Sequence, residues 1–232
     1  MADIAFDGVT VTAEAPGGDV VILRDVTASL TQHRVALIGG NGSGKSTMAR
    51  LVNGLVSPSS GTVTVDGLDV ASDGPAVRRR VGFVFTQPAA QLVMPTVAED
   101  VALSLRRLVK DKDERQRRVT DVLGAYGLAH LADTSVHALS GGQQQLLALA
   151  GVLATEPSIV VADEPTTLLD LRNSAVVADR LFSLEQQLVL VTHDLDLALR
   201  CERVLVVEGG RIAADGEPAE AVAWYRDSVT TR

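Results

Sequence analysis

Eight residues, Gly39-Gly40-Asn41-Gly42-Ser43-Gly44-Lys45-Ser46, constrain the fold of this chain more than any other feature. They satisfy every fixed position of the phosphate-loop pattern G-x-x-x-x-G-K-[ST]. Val35-Ala36-Leu37-Ile38 is a short, wholly apolar run that stops at the loop, as a buried strand feeding a phosphate site does. A helix is expected from Lys45 to about Leu55, ending near Ser57-Pro58-Ser59-Ser60-Gly61. Strand, glycine loop and helix in that order predict an α/β core on a mostly parallel sheet with flanking helices. Glycines let several backbone N–H groups converge on a β-phosphate at the positive end of the next helix. Lys45 is expected to bridge β- and γ-phosphate oxygens, and the Ser46 hydroxyl to hold Mg²⁺. The nucleotide-binding set is therefore Gly39, Gly40, Asn41, Gly42, Ser43, Gly44, Lys45, Ser46 and Thr47.

A second apolar run, Ile159-Val160-Val161-Ala162, ends in Asp163-Glu164. Such a strand carries its terminal carboxylates to the edge of the sheet where open α/β folds bind ligands. Asp163 is expected to hold Mg²⁺ through water, and Glu164 to orient and polarise the attacking water. His193 follows the next apolar strand, in Val191-Thr192-His193-Asp194, where it could reach a γ-phosphate and sense its presence. His33, His130 and His137 lack such surroundings and receive no role.

The remaining elements surround this core. Residues 4–12 and 20–30 alternate apolar and polar side chains about the turn-rich Ala15-Pro16-Gly17-Gly18-Asp19, as antiparallel edge strands do. Val63 and Val65 before Asp66-Gly67 suggest a hairpin, and Val81-Gly82-Phe83-Val84-Phe85 a further strand. From about 90 to 150 the pattern turns helical: Val97, Val101, Leu105 and Leu108 share one spacing, and Val119, Val122, Leu123 and Tyr126 another. Lys110 to Arg115 reads as a solvated connection and helix start. Leu188 to Val191 is a buried strand, and Val204–Val207 and Arg211–Ala214 flank Glu208-Gly209-Gly210 as a hairpin.

Composition excludes several classes. A formal charge of −8 argues against a nucleic-acid partner. The single cysteine, Cys201, rules out an internal disulfide or multi-cysteine metal site, fits a reducing compartment, and reads as a small core residue in a helix. No apolar run reaches the ~20 residues that span a bilayer, and Met1-Ala2-Asp3-Ile4 lacks the character of a signal peptide. A cytosolic protein, reaching a membrane only through partners, is expected.

Between the phosphate loop and the carboxylate pair lies Leu139-Ser140-Gly141-Gly142-Gln143. With it the chain resembles the ATP-binding cassette (ABC) ATPases along nearly its whole length. Gly39 to Ser46 resembles their Walker A loop, Leu139 to Gln143 the signature, Ile159 to Glu164 Walker B, Leu168-Leu169-Asp170 the D-loop and His193 the switch histidine. The resemblance implies one ABC domain over 1–232. Its P-loop NTPase core (about 1–88 and 155–232) would carry an N-terminal antiparallel β subdomain, and about 89–154 would form an inserted α-helical signature subdomain. It also implies ATP and Mg²⁺ as ligands, with Lys45, Glu164 and His193 catalytic. A head-to-tail dimer follows, in which Ser140, Gly141, Gly142 and Gln143 complete the partner's site. The Ser140 hydroxyl and the following amides, at a helix start, suit a γ-phosphate arriving from across that interface.

A finer resemblance covers 82–105. Gly82 to Leu92 and the following Val93-Met94-Pro95-Thr96-Val97 look like the Q-loop region of energy-coupling-factor (ECF) ATPases, nearest to those of biotin transport. That implies an ATPase subunit energising uptake of a vitamin or transition-metal ion, with biotin the first expectation and cobalt or nickel open. Its partners would be itself or a paralogous ATPase, and integral T-type and substrate-binding S-type membrane subunits. Its place would be peripheral, on the cytoplasmic face of a bacterial cell membrane. A non-transport ABC ATPase and a small-molecule P-loop kinase are the alternatives. Three departures stand out. Anchored on Pro88 and Gln91, the family glutamine falls on Thr86, with Gln87 one place late, so either could meet the metal and nucleotide. No aromatic residue for adenine occurs from Val11 to Ala15. Gln144-Gln145-Leu146 replaces a commonly basic stretch, which predicts a difference in docking within the dimer.

Overall fold

The computed structural model describes residues 3–16 and 18–230. Met1 and Ala2, part of the start read as lacking a signal peptide, and Gly17 of the expected turn lie outside the described residues. The chain opens with β1 (Ile4–Ala13), β2 (Val20–Leu30) and β3 (Arg34–Ile38), followed by α1 (Lys45–Val52), β4 (Ser60–Val65), β5 (Leu68–Asp69) and α2 (Gly74–Arg80). Next come β6 (Val81–Val84), α3 (Val97–Leu105), α4 (Lys112–Ala125) and α5 (Gly141–Leu153). β7 (Ile159–Asp163), α6 (Leu171–Phe182), β8 (Gln187–Val191), α7 (Leu195–Ala198), β9 (Arg203–Glu208), β10 (Arg211–Gly216) and α8 (Pro218–Thr230) complete it.

Two compact units result. The first comprises residues 1–81, 158–164 and 184–232. Its antiparallel sheet runs β2-β1-β4-β5, with Ile4 opposite Leu30 on one side and Val65 on the other. Its second sheet has β9-β3-β8-β7 as parallel neighbours, with β10 antiparallel to β9. β3, β7 and β8 are buried at every residue, which explains the unbroken apolar runs Val35–Ile38, Ile159–Ala162 and Leu188–Val191 within them. This is the expected α/β architecture with its antiparallel N-terminal sheet. α1 stops at Val52, not Leu55: Gly54 turns left-handed (φ 68°), and the Leu55 and Gly54 N–H groups donate back to Arg50 and Leu51. That pair of bonds is a Schellman motif, which ends a helix wherever glycine can take that turn.

The second unit comprises 82–157 and 165–183, a wider span than the lobe expected at about 89–154. Val97, Val101, Leu105, Val119, Leu123 and Leu147 form its apolar centre, where α3, α4 and α5 meet. α3 starts in a capping box between Thr96 and Glu99, and Asp111 caps α4. The expected helical face ends early. The Leu105 carbonyl accepts from both Leu108 and Val109, so the chain turns; Val109 is buried and Leu108 is 54% exposed. Phe85 likewise lies past the end of β6. Cys201 is buried as expected but lies in the turn after α7, its N–H on the Ala198 carbonyl, and not in a helix. Among the described residues no helix is long and apolar enough to cross a membrane.

Candidate functional site

β3 delivers the glycine loop at its buried C-terminal end, and α1 begins at Lys45. Gly44 adopts φ 107°, and a Cβ there would sit 2.6 Å from the Leu23 side chain, so the last bend needs glycine on both counts. Lys45 is only 6% exposed. Its Nζ donates to the Gly39 carbonyl at 2.7 Å and the Gly40 carbonyl at 2.9 Å, folding the ammonium back across the loop. Burial lowers its pKa, against the opposing pull of the Glu164 and Asp163 charges. A cavity of about 230 Å³ is lined by Asn41 to Thr47, Ile22 and Glu164.

The carboxylates arrive from β7. Asp163, 1% exposed, accepts the Ser46 hydroxyl at 2.8 Å, and Arg50 Nη2 stands 3.4 Å from its other oxygen. Burial raises the Asp163 pKa, while the Ser46 hydrogen bond and then the Arg50 charge oppose it. A hydroxyl beside a buried carboxylate that burial pushes toward its neutral form is a pair of hard oxygen donors short of positive charge. These residues fit Mg²⁺. Glu164 adopts a left-handed backbone (φ 52°), its N–H donating to the Val191 carbonyl at the end of β8. His193 Nδ1 lies 2.7 Å from Glu164 Oε2, so carboxylate and imidazole form one unit at the cavity edge. Residues 39–47, Asp163, Glu164 and His193 thus all lie in the first unit, on neighbouring strand ends. Arg50 was missed by the sequence reading; its one signal is its place four residues after Ser46, on the same face of α1.

The signature residues lie in the second unit. Ser140 is the N-cap of α5: its Oγ accepts the Gln143 N–H at 3.3 Å, and Gln143 Oε1 accepts the Ser140 N–H at 2.9 Å. Gly141 and Gly142 form the first turn, leaving early helix amides without intrahelical acceptors. Thr86 and Gln87 line a cavity of about 250 Å³ with Gly141, Gln144, Leu168 and Leu169, so both stand near the signature and D-loop segments. Of the residues that replace the basic stretch, Gln145 is buried and Gln144 and Leu146 are half-buried. Gln145 is 1% exposed and donates to the Phe85 carbonyl at 3.4 Å, and Gln144 donates to the Val136 carbonyl at 3.1 Å. One aromatic residue near the phosphate loop went unseen in the sequence. Tyr225 of α8 lines a cavity of about 390 Å³ with Gly40 to Ser43.

Residues 23–167 match the family model described as ABC transporter. The chain is 46% identical over 210 residues to the biotin transport ATP-binding protein BioM of Rhizobium etli, covering 90% of this chain and 93% of that protein. It is 40% identical over 190 residues to the energy-coupling factor transporter ATP-binding protein EcfA1 of Halalkalibacterium halodurans, covering 80% and 68%. The dimeric post-hydrolysis structure of the ATP-binding cassette MJ0796 bound to ADP and Pi matches with a TM-score of 0.83 and 30% identity, over 93% of this chain and 98% of that one. Phosphate loop, paired carboxylates and these likenesses together place the chain in the ABC transporter ATP-binding family, whose members are ATPases coupled to transport.

Proposed function

We propose that this chain is the ATP-hydrolysing subunit of an ECF-type membrane importer, with biotin as its first cargo and another vitamin, cobalt or nickel as competing ones. The observation that carries it is the Ser46–Asp163 pair at 2.8 Å and the Glu164–His193 pair at 2.7 Å, both at the phosphate loop, in a chain that also holds Leu139–Gln143. The likeness to BioM and EcfA1 supports the ECF assignment.

In this reading the ATP phosphates draw Lys45 away from the Gly39 and Gly40 carbonyls, and the loop amides and the ammonium share the β- and γ-oxygens. Ser46 and Asp163 would hold Mg²⁺, with Thr86 or Gln87 as a further contact; the bound ion would neutralise charge on the transferring phosphoryl group. Glu164 accepts the hydrogen bond of the attacking water and orients it, while His193 fixes the Glu164 carboxylate and meets the γ-phosphate. Ser140, Gly141, Gly142 and Gln143 serve the partner's ATP in a head-to-tail dimer, formed with itself or with a paralogous subunit. T-type and S-type membrane subunits bind the dimer at the cytoplasmic face and supply cargo specificity. ATP binds the closed dimer better than the open one, and that difference drives the motion.

Co-purification from membranes identifies the partners, and uptake into vesicles carrying them identifies the cargo. Lys45→Ala should abolish nucleotide binding or turnover. Glu164→Gln should bind ATP, stay dimeric and lose turnover by about 10²-fold or more. A monomeric Glu164→Gln variant that still hydrolyses ATP, or partner-bearing vesicles without ATP-dependent uptake, would overturn the proposal.

A further inference from the structure

Glu208-Gly209-Gly210 joins β9 to β10, and the turn also braces the phosphate loop. The Gly210 N–H donates to the Ser43 carbonyl at 3.1 Å, and the Gly210 carbonyl accepts the Arg24 N–H of β2 at 2.8 Å. One peptide segment therefore links the loop to the strand behind it. No side chain fits there. At φ 78°, a Cβ on Gly210 would lie 2.4 Å from the Ile22 carbonyl oxygen and 3.3 Å from Leu23 Cα. Ile22 itself lines the cavity formed by Asn41 to Thr47. The base of the loop is equally close-packed, since a Cβ on Gly39 would lie 2.1 Å from the Val207 carbonyl of β9. Ser43 has little other support: its N–H reaches the Gly40 carbonyl at 3.2 Å, and its buried hydroxyl makes no hydrogen bond among the described residues.

A trans peptide points its C=O and N–H in opposite directions. Holding the Ser43 carbonyl toward Gly210 therefore fixes the Gly44 N–H on the opposite side of that peptide plane. We infer that Gly210 is a positioning residue for nucleotide binding: it orients the Ser43–Gly44 peptide so that the Gly44 amide is presented to the phosphates before they arrive. This rests on the reading of residues 39–46 as the phosphate loop. A preset donor costs no reorganisation on binding, so losing the brace weakens phosphate affinity even where the fold survives.

The neighbouring glycine supplies the control. Gly209 also has positive φ (55°), but a Cβ there meets nothing within 4 Å. Gly209→Ala and Gly210→Ala both place a side chain at positive φ, and only the second disturbs Ile22 and the bond to Ser43. Titration of each variant with a fluorescent ADP analogue should show Kd within about threefold of the parent for Gly209→Ala. For Gly210→Ala it should be weaker by about tenfold or more, the size of one lost hydrogen bond to a charged group. The KM for ATP should rise in parallel, with kcat at saturation changing less. A purely structural defect would lower the binding-competent fraction and leave the Kd of the remainder unchanged. If Gly210→Ala does not fold, amide hydrogen exchange on the parent decides: the Gly210 amide should be protected without nucleotide, and the Gly44 amide only with ADP. Parent-like ADP affinity in folded Gly210→Ala, or a Gly210 amide exchanging as fast as that of Gly209, overturns the inference alone. Failure of the parent to bind ADP overturns the phosphate-loop reading beneath it.

Discussion

Asp163→Asn should stabilise the nucleotide-free protein while removing its hydrolysis. Asp163 is almost fully buried, and burial is the largest influence on its carboxyl, raising the pKa despite the Ser46 hydroxyl and Arg50. A raised folded-state pKa means that the net surroundings, partners included, favour the neutral form. Asn is that neutral form with nearly the same shape, and it keeps an oxygen for the Ser46 hydroxyl. Its evident losses are the pair with Arg50, whose side chain is 44% exposed, so that loss is at most about 1 kcal/mol, and the attraction to Lys45, the smallest of the influences on the Asp163 carboxyl. Relief of a buried charge after imperfect compensation leaves a net gain on the order of 1 kcal/mol. For a chain of this length that is about 2–4 °C in Tm. The pH dependence has a fixed sign. The folded form binds this proton more readily than the unfolded one, so the penalty in the parent is complete above the raised pKa. It fades as the pH falls through that value toward about 4. Thermal unfolding without Mg²⁺ or nucleotide should therefore show the variant ahead at neutral pH, with the gap closing in acid. Adding Mg²⁺ and ADP should reverse the order, because only the parent gains from the ion. A variant less stable at neutral pH, or a gap that ignores pH, would refute this account of the site.

Two further predictions concern other regions. In the second unit a Cβ on Gly142 would lie 2.5 Å from the Asn173 side chain, which Asp170 holds at 2.8 Å, so Gly142→Ala should lower Tm. Overpacking of this kind costs about 1–3 kcal/mol, and by melting curve Gly142→Ala should cost far less in a chain already carrying Asn173→Gly, measured against Asn173→Gly alone; an undiminished cost would remove the contact as the cause. Cys201, whose thiol burial pushes up to about 12, should react with a thiol reagent at pH 8 far more slowly in the folded than in the denatured protein. Equal rates would mean that the turn after α7 opens freely.

What could be read from the sequence is what neighbouring residues encode. The unbroken apolar runs of β3, β7 and β8 announce strands buried on both faces, and the glycine loop and paired carboxylates stand directly at their ends. Helix ends were less legible where a single backbone bend decided them, as at Gly54, or where Val109 displaced Leu108 from the core. Contacts between distant segments left no periodic trace. Arg50 meets Asp163 across 113 positions, the Gly210 amide reaches Ser43 from the far end of the chain, and Tyr225 arrives beside the loop on the last helix. Gln145, one of the glutamines after the signature, shows how far such contacts escape the sequence. As sequence these glutamines are a missing basic patch, which suggests a surface altered for a partner. Gln145, however, is buried against the Phe85 carbonyl, one residue before Thr86, so it is spent inside its own unit and cannot face a second copy. A lysine or arginine there would bury a charge with one carbonyl to meet it. A change at 145 should therefore be felt first in the Thr86–Gln87 segment, which follows Phe85 directly.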